Sequence, residues 1–281
     1  MRRMFVTLRA CALAVGLAAL PTTAVASDFV RLTDRDDLFG WEAVGRVDLA
    51  GTGFCTGVLI ATNLVLTAAH CLYDAKDQLL PPEAIRFRAG LRDGVAVAER
   101  QAARVVAAKG YNPKAGISNE RVRNDVGLIE LAQPILSTTA APFLLHEAPR
   151  TGDRVSVVSY GRGRDAALSW QRDCGLVWDY QDLYGFDCSI TFGTSGAPVF
   201  YKDGRRARIL SLFRGGPVEE GEFTAAWGME LPTIVEQLKR DLRALPTAAS
   251  PGARFESVGT LRGVGKTRNV GGAKFSTLGG A

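Results

Sequence analysis

Histidine is scarce in this chain: His70 and His146 are the only two among 281 residues. Any chemistry that uses an imidazole as base must draw on one of them. No C-x-x-C pair occurs, and the cysteines of the two halves, Cys55 with Cys71 and Cys174 with Cys188, lie far apart in sequence, which argues against a zinc centre built on four thiolates. Beyond the first twenty residues no stretch is both apolar and long enough to cross a bilayer, which takes roughly 20 residues. No internal repeat is visible.

What is present begins with an export signal. Arg2, Arg3 and Arg9 precede an apolar run from Ala10 to Leu20, and Pro21 leads to the small-x-small site Ala24-Val25-Ala26. Residues 1–26 therefore read as a secretory signal peptide that is removed. A lipid anchor on Cys11 is disfavoured, because Arg9 stands two residues before it and the apolar run follows it. Removal of the signal leaves Cys55, Cys71, Cys174 and Cys188, an even number suited to two disulfides in an oxidising compartment, periplasmic or extracellular. Three pairings are possible. The simplest joins neighbours, each bridge closing a loop of about 15 residues, for which the chain-entropy estimate is roughly 3 kcal/mol.

The formal charge of +5 misleads as a guide to partners. The signal carries three of the positive charges and the stretch from Pro246 onward a net four, so the remainder is close to −2. That balance gives no support for a nucleic-acid surface. Apolar residues make up 47% of the chain, enough for a sizeable core. Short runs rich in Val, Ile, Leu or Phe predict strands over Val44–Leu49, Gly57–Leu66, Ile85–Ala89, Arg104–Ala108, Gly127–Leu131, Arg154–Ser159, Pro198–Tyr201 and Ile209–Phe213. One helix is expected after Pro232, where Ile234, Val235, Leu238, Leu242 and Leu245 form a single stripe. Residues 246–281, rich in Gly, Ser and Thr, read as a flexible basic tail. Pro134, the Ser-Thr-Thr run 137–139 and Pro142 make a connector between two strand-rich halves, about 41–135 and about 142–245, within a domain spanning 27–245.

Three segments carry chemistry in this order: Thr67-Ala68-Ala69-His70-Cys71, Asn124-Asp125 followed by Val126–Leu131, and Gly193-Thr194-Ser195-Gly196-Ala197-Pro198. A serine hydroxyl is a weak nucleophile at neutral pH. It needs an imidazole to take its proton and a carboxylate to orient that imidazole. His70 follows the apolar run Leu64-Val65-Leu66 and precedes a cysteine; His146 lies between Leu145 and Glu147 in an expected loop, a poorer setting for a base. Asp125 is explained equally well as a turn residue opening a strand. Ser195 between glycines fits either a hairpin loop or a backbone shaped so that the Gly193 and Ser195 amides bind a developing oxyanion. The G-x-S-x-G nucleophile elbow does not apply, since position 197 is Ala and the better histidine precedes the serine.

Together with Phe54-Cys55-Thr56-Gly57-Val58-Leu59-Ile60, these segments resemble the trypsin and chymotrypsin family of serine endopeptidases, over roughly residues 41–245. The short interval between Asp125 and Ser195 is similar to compact secreted bacterial members, including the glutamyl-endopeptidase branch. The resemblance implies an all-β protein of two perpendicular, antiparallel, six-stranded-type β-barrels of chymotrypsin-like fold, closed by a C-terminal α-helix, with a Cys55–Cys71 bridge. It implies His70 as general base, Asp125 as orienting acid, Ser195 as nucleophile and the Gly193 and Ser195 amides as oxyanion hole. Substrates would be proteins or peptides, with no metal or cofactor, and a monomer is expected.

Two departures limit what is carried over. Thr194 stands where animal members have the aspartate that receives a freed N-terminus, so activity is not expected to depend on that ion pair. Ser189 stands six residues before the nucleophile, where trypsin-like members hold a basic substrate side chain with an aspartate, so a weak preference for Lys or Arg is expected. Arg214 is the cation available to the other pocket wall, which leaves small, apolar or acidic residues open. The Cys174–Cys188 pairing rests on cysteine arithmetic alone. A protease-fold binding or scaffold protein without turnover is the alternative function, and an esterase with the same residues is a third.

Overall fold

A computed structural model describes residues 29–50, 53–202, 206–216, 218–219, 222–223 and 225–246. The expected signal peptide and nearly all of the expected tail lie outside them. The chain opens with a short strand β1 (Val30–Arg31) and one helical turn α1 (Arg35–Leu38). Six strands follow: β2 (Val44–Leu49), β3 (Gly53–Ala61), β4 (Leu64–Thr67), β5 (Ile85–Ala89), β6 (Ala98–Ala107) and β7 (Gly127–Leu131). They close into a barrel in the order β2-β3-β4-β7-β6-β5, with α2 (Asn119–Arg123) in the connection before β7. All the pairings are antiparallel, as tight turns between consecutive strands allow.

The second half builds an eight-stranded sheet. Its strands are β8 (Arg154–Ser159), β9 (Ser169–Tyr180), β10 (Leu183–Phe186), β11 (Pro198–Lys202), β12 (Ala207–Leu212) and β13 (Arg214–Gly215). A small hairpin, β14 (Val218–Glu219) with β15 (Glu222–Phe223), precedes β16 (Ala226–Met229). The sheet order is β12-β11-β8-β9-β10-β16-β13, with β1 added to β9. The closing helix α3 (Pro232–Ala244) buries Val235, Leu238 and Leu242, the expected stripe. It returns to the first barrel: Arg104 of β6 donates to the Leu242 and Leu245 carbonyls, and Lys109 pairs with Asp241 at 2.7 Å. Cations at the last carbonyls complement the helix dipole. No helix among the described residues is long and apolar enough to cross a membrane.

The chymotrypsin-like fold, mostly β with a closing helix, agrees with the expected class. Local differences follow from physical causes. The expected strand Gly57–Leu66 is two strands, because the chain reverses at Thr62-Asn63 and pairs Ala61 with Leu64. Apolar residues on both arms conceal that turn. Strand β6 begins six residues earlier than expected, since its polar first half pairs with β5, where Arg86 and Arg88 both meet Glu99. Strand β9 has no counterpart in the expected strands, for Gln171-Arg172-Asp173 interrupts its apolar character.

The first barrel is packed without slack. Phe87 is fully buried, and a methyl group placed on Gly45 would lie 2.4 Å from its ring. The ring therefore fills the space that glycine leaves. Phe87→Ala is expected to cost about 3–5 kcal/mol, read as a lower midpoint in denaturant with an unchanged slope; a loss below about 1 kcal/mol would contradict this packing.

Candidate active site

Three local structures bring the expected residues together. Strand β4 ends at Thr67, and one 3-10 turn, Ala69–Leu72, carries His70. The Cys55–Cys71 disulfide ties that turn to β3 beside the histidine. Helix α2, capped by the Ser118 side chain on the Arg121 amide, ends at Arg123; the Asp125 amide then donates to the Val122 carbonyl, aiming the side chain inward ahead of β7.

Asp125 is fully buried and accepts three hydrogen bonds. Its Oδ1 accepts from the His70 amide at 2.8 Å; its Oδ2 meets His70 Nδ1 at 2.8 Å and accepts from Arg214 Nε at 2.7 Å. Since the carboxylate can only accept, Nδ1 carries the proton and Nε2 is left as the basic nitrogen. Burial alone would push the Asp125 carboxyl up, but His70 and the Arg214 guanidinium outweigh it and hold the carboxyl below its ordinary range.

Ser195 lies on the loop between β10 and β11 and shares with His70 a cleft of about 680 Å3, also lined by Gly193, Phe192, Arg121, Arg162 and Gly215. Gly193 has φ +90° and Gly196 φ +73°, backbone that favours glycine. A Cβ on Gly196 would stand 2.4 Å from Thr67 Oγ1 and 2.6 Å from the Thr56 carbonyl. The loop is held from β3 by Thr56: its amide donates to the Ser195 carbonyl at 3.0 Å and its hydroxyl to the Gly193 carbonyl at 3.0 Å. Among the described residues neither the Gly193 nor the Ser195 amide has a hydrogen-bond acceptor.

Thr194 is buried, and its hydroxyl accepts from Arg164 at 3.1 Å. Arg164 also donates to the Ser159 carbonyl and hydroxyl, and it lies 3.8 Å from the centre of the Phe29 ring. Burial depresses this guanidinium to about 10. A cation with neutral partners therefore stands behind the loop that carries Ser195. Cys174 of β9 is bridged to Cys188, which braces the approach to that loop.

The residues expected to shape specificity fall differently. Ser189 is exposed and does not line the cleft. Arg214 borders the cleft, yet its guanidinium is turned onto Asp125, so it does not stand in the pocket wall as a free cation. The His146 ring packs against that of Tyr201, tilted by 32° with centroids 4.4 Å apart, and does not line the cleft. A second cavity, about 790 Å3, is floored by Trp41, Phe143 and Trp170 and contains no histidine.

The sequence pattern described as Trypsin matches residues 39–211. The chain belongs to the trypsin family. Trypsin theta of Drosophila erecta is 31% identical to this trypsin-family chain over 113 residues, which is 40% of the chain and 39% of that protein. Glutamyl endopeptidase of Bacillus licheniformis is 27% identical over 158 residues, 55% of the chain and 47% of that protein. The chain thus spans less than half the length of these curated relatives. Among solved structures, a Glu endopeptidase in complex with MPD superposes with a TM-score of 0.63 at 19% identity, covering 78% of this chain and 99% of that one. Protease Anisep from Arthrobacter nicotinovorans gives 0.58 at 16% identity, covering 73% and 96%. These two likenesses concern the fold.

Membership of a serine protease family does not remove the electrostatic cost at Asp125. Asp125→Asn leaves the buried Arg214 charge without its counterion and is expected to cost about 3–5 kcal/mol. Adding Arg214→Met should recover much of that loss in thermal or urea unfolding. The sign with pH follows from the depressed carboxyl: the stabilisation is present above its unfolded value and lost as pH falls through its folded value. Equal stability of wild type and Asp125→Asn at neutral pH would contradict the ion pair.

Proposed function

We propose that this chain is an exported serine endopeptidase that hydrolyses peptide bonds by acyl transfer through Ser195, His70 and Asp125. The observation that carries the reading is the His70 ring, held through Nδ1 by a buried carboxylate, opening onto the same cleft as Ser195. Ser195 Oγ attacks the scissile carbonyl carbon as His70 Nε2 takes its proton. The carbonyl oxygen gains negative charge opposite the Gly193 and Ser195 amides, and Asp125 stabilises the imidazolium. Collapse breaks the C–N bond, with His70 giving its proton to the leaving amine. Water, deprotonated by His70, then attacks the acyl-enzyme and releases the second product with the Ser195 hydroxyl restored. Two disulfides fit a protein working outside the reducing cytoplasm, as does the arginine-led apolar segment at residues 1–26.

A fluorophosphonate probe is expected to label the native protein on Ser195, and Ser195→Ala to abolish labelling and lower kcat by about 10⁵–10⁶. Absence of labelling in the folded protein would favour the binding or scaffold reading. The substrate side is less like trypsin than the fold is. Arg121 and Arg162 line the cleft, with Asp165 as the only carboxylate among the described lining residues, so little offsets desolvation of a basic side chain. In a peptide-library cleavage profile, small, apolar or acidic residues should exceed Lys and Arg before the cut bond; dominance of Lys or Arg would overturn this.

A further inference from the structure

The reaction needs a carboxylate that favours positive charge on His70, yet this carboxylate already carries a permanent cation. Asp125 Oδ2 is shared by His70 Nδ1 and Arg214 Nε at 2.8 and 2.7 Å. Arg214 is itself buried, and among the described residues its other side-chain hydrogen bond is an NH1 donation to the Gly215 carbonyl at 3.1 Å. It sits at the start of β13, so the second sheet supplies a cation to an acid held by the first barrel.

Two consequences follow from charge alone. The guanidinium fixes the carboxylate, because Oδ2 is gripped from both sides while Oδ1 is held by the His70 amide. It also opposes proton uptake by the imidazole, since a positive charge on His70 would form beside one already present, in a site where low dielectric strengthens the repulsion. Among the described residues, the other charged or titratable groups facing the pair are Tyr111 and Arg121, hydrogen-bonded to each other at 3.0 Å, and Tyr73, Arg162 and Asp165 around the cleft. Of the arginines named here, only Arg214 touches Asp125.

We infer that Arg214 is a positioning residue that keeps His70 a free base at lower pH than a neutral neighbour would, extending activity to the acid side. This inference rests on the proposed endopeptidase reading. The trade is a smaller gain from Asp125 when the imidazolium forms during attack.

The test compares wild type with Arg214→Gln, which keeps donors without charge, and Arg214→Lys, which keeps charge without the planar fork. In kcat/KM against pH, the acid edge of R214Q should lie about one unit higher, a tenfold loss on the acid limb relative to its own plateau. R214K should keep the wild-type edge. An R214Q edge matching wild type, or an R214K edge rising with R214Q, would overturn the inference. The same comparison in the Ser195→Ala background, following the His70 ring nitrogens by ¹⁵N NMR through a pH series, needs no turnover. A silent wild-type enzyme with the expected NMR difference would therefore sink the endopeptidase reading and leave the charge coupling standing. If R214Q fails to fold, R214K carries the test alone: its NMR midpoint must match wild type, and a rise of about one unit contradicts the inference.

Discussion

The buried carboxylate of Asp125 is the constraint on which the site depends. It receives the backbone and ring of His70 from the turn after β4, and the guanidinium of Arg214 from β13. An ionised group with no exposed surface is tolerated only when its oxygens are saturated and its charge matched. Asp125 meets both conditions only when the first barrel and the second sheet are seated against each other. Packing of the two halves and orientation of the base are in that sense one event.

The loop that carries Ser195 is set by a parallel arrangement. Thr56, fully buried on β3, grips the Ser195 and Gly193 carbonyls, and Thr67 at the end of β4 donates to the Thr56 carbonyl at 2.8 Å. The strand pair that delivers His70 therefore also holds the loop bearing Ser195. Arg164 supports the far side through Thr194, under the ring of Phe29. Positioning here comes from carbonyls being gripped, which leaves the amides of Gly193 and Ser195 free to point elsewhere.

Much of this was legible in the amino-acid sequence because it is local. Strands with apolar residues on consecutive positions, such as Gly127–Leu131, announce themselves, and the stripe after Pro232 identifies α3. The neighbouring-cysteine pairing was the simplest of three and is the one observed. The expected site residues His70, Asp125 and Ser195 stand in short motifs, and the structure puts His70 on Asp125 and in one cleft with Ser195. Strand β9 was hidden because its Gln-Arg-Asp interior breaks the apolar pattern. Thr56 and Arg164 were hidden because their roles are set by partners more than 100 and about 30 residues away, 137 and 30 apart in the contacts with Gly193 and Thr194. Arg214 stands out in the sequence for its charge, but its partner is 89 residues distant, and sequence order says nothing about which way a side chain turns.

The most direct measurement is the low-field proton NMR spectrum of protein labelled with ¹⁵N-histidine, where only His70 and His146 contribute ring signals. The account predicts a strongly deshielded Nδ1 proton on His70 that disappears in Asp125→Asn. No deshielded histidine proton at low temperature, or one that survives Asp125→Asn, would contradict the carboxylate-held imidazole at the centre of the site.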